Sequence, residues 1–323
     1  MAIKNNFFCL NKLNKEELNK FYSSSFVKNT LIDPLHSKLS QEFYLSYFQS
    51  RWIDVSAAVV FEDNIIGYIL AYINDGQISY FNLPINSRIN EKLCDVIETH
   101  KALFNFFLDN ITSLSASKIL VDNIFFNYSS LEPSVNDREL QIAYIDLICP
   151  LDEIKRNIRK SYKSLINWGE KNFRFVIIDK ENPDKELFNE FMLFHHHVSG
   201  RITRSEDTWA IQYKMIENSE AFALIAVYKD RIIGASLIVY TSYEAYYGVG
   251  VYDRELMQSG IPVSHSMLFK AISIAKNLNI QRFILGDISH SNSIKEQKIA
   301  QFKSGFTKTV INRSYHTLDI HLI

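Results

Sequence analysis

The 323-residue chain predicts an α/β fold with mixed (α+β) sheets, built as two similar domains that meet near residue 150. Two internal matches predict it. "VVFEDNIIGYIL" (59–70) matches "AVYKDRIIGASL" (226–237), with Val60 on Val227, Asp63 on Asp230, Ile65-Ile66-Gly67 on Ile232-Ile233-Gly234 and Leu70 on Leu237. "HKALFNFFLDNITSLSASKILVD" from His100 matches "HSMLFKAISIAKNLNIQRFILGD" from His265 without a gap. This carries Leu103, Phe104, Ile119, Leu120 and Asp122 onto Leu268, Phe269, Ile284, Leu285 and Asp287.

Each half therefore starts with a hairpin, because a polar turn separates two apolar runs, the second rich in β-branched residues. A third strand follows, "QISYFNLPI" (77–85) in the first half and "YEAYYGVGVY" (243–252) in the second. Apolar residues at i, i+3 and i+4 then give a helix, and a short buried strand ending in Asp follows it. Late strands at 140–148 and 316–323 close the halves. The expected domains are 1–150 and 151–323, without a low-complexity linker; Pro150 with Asp152 and Glu153 reads as a helix start. In that helix, "LDEIKRNIRKSYKSLINWGEKN", Lys155, Arg156, Arg159, Lys160 and Lys163 are expected on one face and Ile154, Ile158, Leu165 and Ile166 on another. The basic face is either solvated surface or a rim for phosphate.

Composition bounds the partners. Net charge is −1, with 47% hydrophobic and 22% charged residues, which argues against binding dominated by phosphate neutralisation, DNA included. Cys9, Cys94 and Cys149 are scattered and odd in number, as expected of reduced thiols in the cytoplasm. The first twenty residues lack a signal-peptide core, and the longest apolar runs are strand-length, so no membrane span is expected.

Hairpin, third strand, helix and fourth strand, with a glycine-bearing join before the helix, resemble the acyltransferase fold called GNAT. Two in tandem resemble its Fem-like branch, which includes aminoacyltransferases of peptidoglycan cross-bridges. The closer match lies in "IRKSYKSLINWG" (158–169), "GRITRSEDTWAIQYKMI" (200–216), "AYYGVGVYDREL" (245–256) and "IAQFKSGF" (299–306). Together these look like a bacterial subgroup linked to surface-sugar biosynthesis. The resemblance implies a catalytic second domain and a degenerate first domain that helps form the acceptor cleft. One departure stands out: the Gln/Arg-x-x-Gly-x-Gly/Ala loop that holds the CoA pyrophosphate is replaced by "YDRELMQSGIPVSHSML", with Gly260 and Pro262.

Acyl transfer to an amine needs a neutral amine, a positioned carbonyl and donors aimed at the oxyanion. The resemblance places those donors on the third strand, at the amides near Tyr247, Gly248 and Val249. Gly248 and Gly250 stand where the first copy has Phe81 and Leu83, so the second copy alone is expected to let a donor approach its backbone. Tyr246 and Tyr247 should face opposite ways, each lining the cleft or joining the core. Asp287 and His290 at the open end of the sheet are candidate bases, or turn residues. His265 is a further catalytic candidate, although His100 matches it. Lys303 resembles a lysine of the Fem-like group near acceptor or donor phosphates.

The run "HHHVSGRITRSEDTW" (195–209) invites a zinc reading. However, consecutive histidines spread across roughly 200° of a helix, and no second His/Cys cluster is visible, so no metal is expected. The histidines instead read as the end of a helix closed by Gly200. Ser205, Glu206 and Asp207 open another, which carries Trp209 inward. Arg201 and Arg204 on the connection are the expected anion clamp, with Trp209 and Tyr246 on the acceptor side.

These readings make the chain an N-acyltransferase acting from acyl-CoA, acetyl-CoA foremost, on a small-molecule amino sugar, nucleotide-linked, in polysaccharide or glycan synthesis. A Fem-like transferase using aminoacyl-tRNA, with the basic helix holding RNA, is one alternative. A non-catalytic module that binds a glycan or a protein is the other.

Overall fold

The structure is a computed structural model that describes residues 6–49, 51–128, 138–289, 291 and 293–320. Its chain divides into two units: residues up to 31, 48–140 and from 312 on form one, and 32–47 with 141–311 form the other. The first unit opens with β1 (Asn6–Cys9), α1 (Lys15–Ser23) and α2 (Ser25–Thr30). α3 (Lys38–Phe48) follows, almost wholly in the second unit. The first unit resumes with β2 (Ile53–Asp54), β3 (Ala57–Phe61), β4 (Asn64–Leu70), β5 (Tyr72–Asn74), β6 (Gln77–Ser79) and β7 (Asn86–Ile89). α4 (Val96–Ile111), β8 (Lys118–Asp122) and α5 (Asn123–Tyr128) come next.

The second unit continues with β9 (Arg138–Asp146), α6 (Leu151–Asn157), α7 (Lys160–Asn172), β10 (Arg174–Ile178), α8 (Lys185–Ser199) and α9 (Glu206–Glu217). β11 (Ala221–Tyr228), β12 (Arg231–Tyr240), β13 (Glu244–Tyr252), α10 (Arg254–Gln258), α11 (Val263–Asn277), β14 (Arg282–Asp287) and α12 (Ile294–Ser304) complete it. β15 (Val310–Asp319) runs back into the first unit, where it pairs with β8.

The repeat holds at the level of backbone geometry. Both hairpins turn on two left-handed residues, Glu62 and Asp63 in β3–β4 and Lys229 and Asp230 in β11–β12, the signature of a tight two-residue turn that matches strand twist. Both then carry a register shift at the same repeat position, between Val59 and Val60 and between Ala226 and Val227.

In the first unit, β1-β3-β4-β7 form one antiparallel sheet, while β15-β8-β6-β5-β2 form a second ladder. The third strand expected over 77–85 is broken. Tyr80 and Leu83 exchange both backbone hydrogen bonds (2.7 and 2.9 Å) around left-handed Phe81 and Asn82, so β6 and β7 join different sheets. Phe81 is buried among Tyr72, Tyr80 and Trp52, and the apolar contacts of that ring offset the cost of its backbone conformation.

The second unit orders its strands β10-β11-β12-β13-β14-β9, antiparallel throughout except for β13 and β14. That parallel pair requires a crossover, which α11 supplies. One face of the sheet packs on α7 and α11 through Ile166, Phe269 and Ile272; the other packs on α8 and α9 through Phe188, Phe191 and Trp209. Residues 32–47 join the second face: Ser37 Oγ donates to Glu220 at 2.6 Å, the Ser46 and Thr208 hydroxyls meet at 2.6 Å, and Thr241 Oγ1 donates to the Ile32 carbonyl at 2.7 Å.

The basic helix expected over 151–172 is two helices. Ile158 and Arg159 are extended (ψ 144° and 134°), because Ile158 turns into the core and the Arg159 amide bonds the Gly305 carbonyl at 2.8 Å. The five cations therefore do not share a face. Lys155 pairs with Glu170 at 3.0 Å and lies over Phe269, Arg159 lies over Tyr162, and Lys163 caps the Arg156 carbonyl at 2.7 Å.

Candidate active site at the fork of two parallel strands

β13 and β14 pair only over Glu244↔Arg282, Ala245↔Phe283 and Tyr246↔Ile284. β14 then stays with β9, whereas β13 stays with β12 and runs on to Tyr252. From Tyr247 onward β13 has no strand on its β14 side among the described residues. The two strands thus open a fork bordered by backbone that no neighbouring strand covers on that side among the described residues.

The register of β12 against β13 jumps at this point, from Ile238↔Tyr247 to Leu237↔Val249. Gly248 is the extra residue of the bulge, and it is exposed. Val249 is buried and anchors the bulge in the α8–α9 core. Tyr246 and Tyr247 face opposite ways, Tyr246 against the α8–α9 core and Tyr247 against the α7–α11 core. The Tyr247 hydroxyl lies over Gly250 and hydrogen-bonds the Tyr252 hydroxyl; any Cβ at 250 would collide with it. Burial pushes Tyr247 up to about 12 and Tyr252 well above the usual phenol range, so both remain protonated at neutral pH.

The other side of the fork is Gly286, with φ +90°, at the break in the β14–β9 register. An added Cβ there would stand 3.1 Å from Lys303 Nζ and 3.9 Å from the Tyr246 ring. Lys303, on α12, donates to the Asp287 carbonyl at 3.2 Å. Burial lowers its pKa, opposed by the Asp287 charge. The Asp287 carboxylate accepts from the Ser289 amide (2.8 Å) and hydroxyl, and the Ser289 hydroxyl in turn accepts from Gln141 N at 2.8 Å. Lys303, Tyr246 and Asp287 therefore converge on the fork, while His290 lies outside the described residues.

His265 stands apart from this group. Tyr162, Phe302 and Phe306 box its ring, and its Nδ1 has no hydrogen-bond partner among the described residues. Burial lowers its pKa to about 4, so the imidazole is neutral. Gly260 (φ +85°) is exposed between α10 and α11, and α10 occupies the join from β13 to α11.

The arginine turn is a separate constellation. α8 ends at left-handed Gly200 and Ser205 caps α9. Arg204 is half-buried, its guanidinium 4.7 Å from the Trp209 ring and 5.7 Å from the Tyr47 ring, and Nη1 donates to Gln212 at 3.0 Å. Arg201 is exposed, with no ion-pair partner among the described residues. Trp209, expected on the acceptor side, is only 2% exposed and packs beneath Arg204 in the α8–α9 core. His195 is buried against Trp209 and Thr203; burial, then the charge of Arg204, lowers it to about 4. Gly286 and Tyr162 fall within stretches quoted above, where neither is given a role. A glycine interrupting an apolar strand end was the available signal for the first, and nothing local marked the second.

No protein-family profile matches the chain, and no curated protein matches it in sequence. Solved structures do match its fold. FemX superposes with a TM-score of 0.61 at 12% identity, over 98% of each chain. A tandem GNAT protein from the clavulanic acid biosynthesis pathway gives 0.54 at 9%, over 98% of this chain and 99% of that one. L-PGS from Bacillus licheniformis gives 0.57 at 13%, over 94% and 91%. The fold is therefore that of the tandem GNAT and Fem-like proteins, as the repeat implied.

Proposed function

We propose that the chain is an acyltransferase that moves an acyl group from acyl-CoA, acetyl-CoA foremost, to the amine of a nucleotide-linked amino sugar, in the cytoplasm, during polysaccharide or glycan synthesis. The observation that carries the reading is the fork: open backbone from Tyr247 to Tyr252, a bulge at exposed Gly248, and a cation at its mouth. A thioester lying along β13 would direct its carbonyl at the amides of Gly248 to Gly250, and Lys303 would add positive potential there. The neutral amine attacks, the C–N bond forms, the C–S bond breaks to expel the CoA thiolate, and Asp287 accepts the ammonium proton and returns it to that thiolate. Tyr246 and the Arg201–Arg204 turn are the proposed acceptor side, with arginine suited to a phosphate.

In the first unit the corresponding strand is broken at left-handed Phe81 and Asn82, which supports placing the reaction in the second unit. One observation favours a second donor. α10 stands where a pyrophosphate loop would lie, which suits an aminoacyl ester carried on tRNA.

Thermal shifts with CoA, acetyl-CoA, charged tRNA and a nucleotide-sugar panel separate these readings. Stabilisation by acetyl-CoA and by a nucleotide sugar supports the proposal. Response to charged tRNA alone replaces the donor, and glycan binding without response to any donor replaces catalysis with recognition.

A further inference from the structure

The first unit contains a cavity of about 860 Å³ that the fork does not use, within the range of roughly 300–1,000 Å³ typical of small-ligand sites. It lies between α1–α2 and the β3-β4-β7 sheet. Adjacent strand residues point to opposite faces, so the side that carries Tyr68 looks towards α1–α2 while Ile69 looks into the α4 core. Phe21, Phe26, Val60 and Ile65 supply apolar walls.

The rim is ordered by its own hydrogen bonds. Asn14 closes a capping box with Glu17 at the start of α1, and the Thr30 and Tyr68 hydroxyls meet at 2.9 Å. The 90–94 turn is pinned by Asn90 N to the Ile66 carbonyl (2.7 Å) and by Lys92 N to Asn90 Oδ1 (3.2 Å).

Charge decides what the cavity takes. Lys20, Lys92, Glu17, Asp63 and Glu91 line it but are exposed, so solvent screens them and they nearly cancel. Arg88 is the half-buried charge, directly across the ladder from Tyr68. Its Nη1 donates to the Ser87 carbonyl at 2.7 Å, which orients the guanidinium, and it forms no ion pair among the described residues. A pre-oriented guanidinium beside aromatic and aliphatic walls suits one anionic group on an apolar body.

We propose that this cavity binds a small anionic amphiphile, with its carboxylate or phosphate on Arg88 and its apolar part over Phe21, Phe26 and Ile65. The site is independent of the acyl-transfer reading.

The test is titration of the full chain with the fluorescent probe 8-anilinonaphthalene-1-sulfonate, then competition with octanoate, octyl phosphate and the neutral octyl glucoside. Octanoate or octyl phosphate displaces the probe and octyl glucoside does not; the stronger of the two anions identifies the head group. Arg88→Gln weakens that competitor at least about tenfold. Ser25→Trp, on the exposed lip, abolishes displaceable binding, and circular dichroism verifies that both variants fold. Equal competition by octyl glucoside, unchanged competition in Arg88→Gln, or no displaceable probe on the native chain overturns the proposal.

Discussion

The ammonium of Lys303 sits over Gly286, so close that a methyl group on that glycine would stand 3.1 Å from Nζ. The left-handed backbone of Gly286 (φ +90°) is what leaves the lysine room to reach the Asp287 carbonyl. Lys303→Met is predicted to lower kcat by about 10²–10³, the usual effect of removing one aimed electrostatic donor, with a melting temperature near that of the native chain. Gly286→Ala should cost about 1–3 kcal/mol from backbone strain and also lower kcat. Steady-state kinetics beside thermal melts check both; full kcat in Lys303→Met removes the lysine from the chemistry.

Gly248 and Gly250 are two residues apart and should respond differently. The nearest atom to a Cβ at 248 is the Leu237 carbonyl at 3.5 Å, so Gly248→Ala fits, and its effect should fall on donor KM and kcat. Gly250→Ala collides with the Tyr247 hydroxyl and should cost about 1–3 kcal/mol of stability by overpacking. Urea titrations and donor kinetics on the pair measure the contrast. Equal destabilisation would place Gly248 in the packing rather than in the fork.

His265 and His195 tie stability to acid. Each has a folded pKa of about 4, below the 6.5 of an exposed imidazole. Between those values the unfolded chain binds more protons than the folded one, so stability is intact above roughly pH 6.5 and falls as pH drops towards 4. His265→Phe, which keeps a ring among Tyr162, Phe302 and Phe306, should flatten the decline in melting temperature over that window. A native slope retained in the variant would assign the acid sensitivity elsewhere.

The two arginines of the 200–204 turn are predicted to separate. Arg204→Ala loses a ring-stacked, hydrogen-bonded guanidinium and should destabilise by about 1–3 kcal/mol. Exposed Arg201→Ala should leave the melt unchanged and raise the acceptor KM. If both together leave acceptor KM unchanged, the turn binds no anion.

What could be read from the sequence was local. The hairpins were legible because Glu62-Asp63 and Lys229-Asp230 supply the polar, left-handed turn that β-branched flanks require. The end of α8 was legible because Gly200 relieves a left-handed cap. The features that escaped depend on partners far along the chain. Ile158 and Arg159 break a helix because the core and Gly305 claim them, and Phe81 folds back because Tyr72 and Trp52 receive its ring. Residues 32–47 join the second unit through Glu220, Thr208 and Thr241, none of which a local window contains. At the fork, Tyr246 and Asp287 were legible as polar residues of the third and fourth strands and Lys303 through the family resemblance, but the approach of Gly286 to Lys303 and the aromatic box of His265 became visible only with the packing.

The central claim is that the open edge of β13 receives the acyl donor. Hydrogen exchange with and without a non-hydrolysable acetyl-CoA analogue tests it most directly. The account predicts slowed exchange in peptides covering 244–252 and 282–289, and none in the hairpin 221–240. Unchanged exchange across 244–252 while the analogue is demonstrably bound would contradict it.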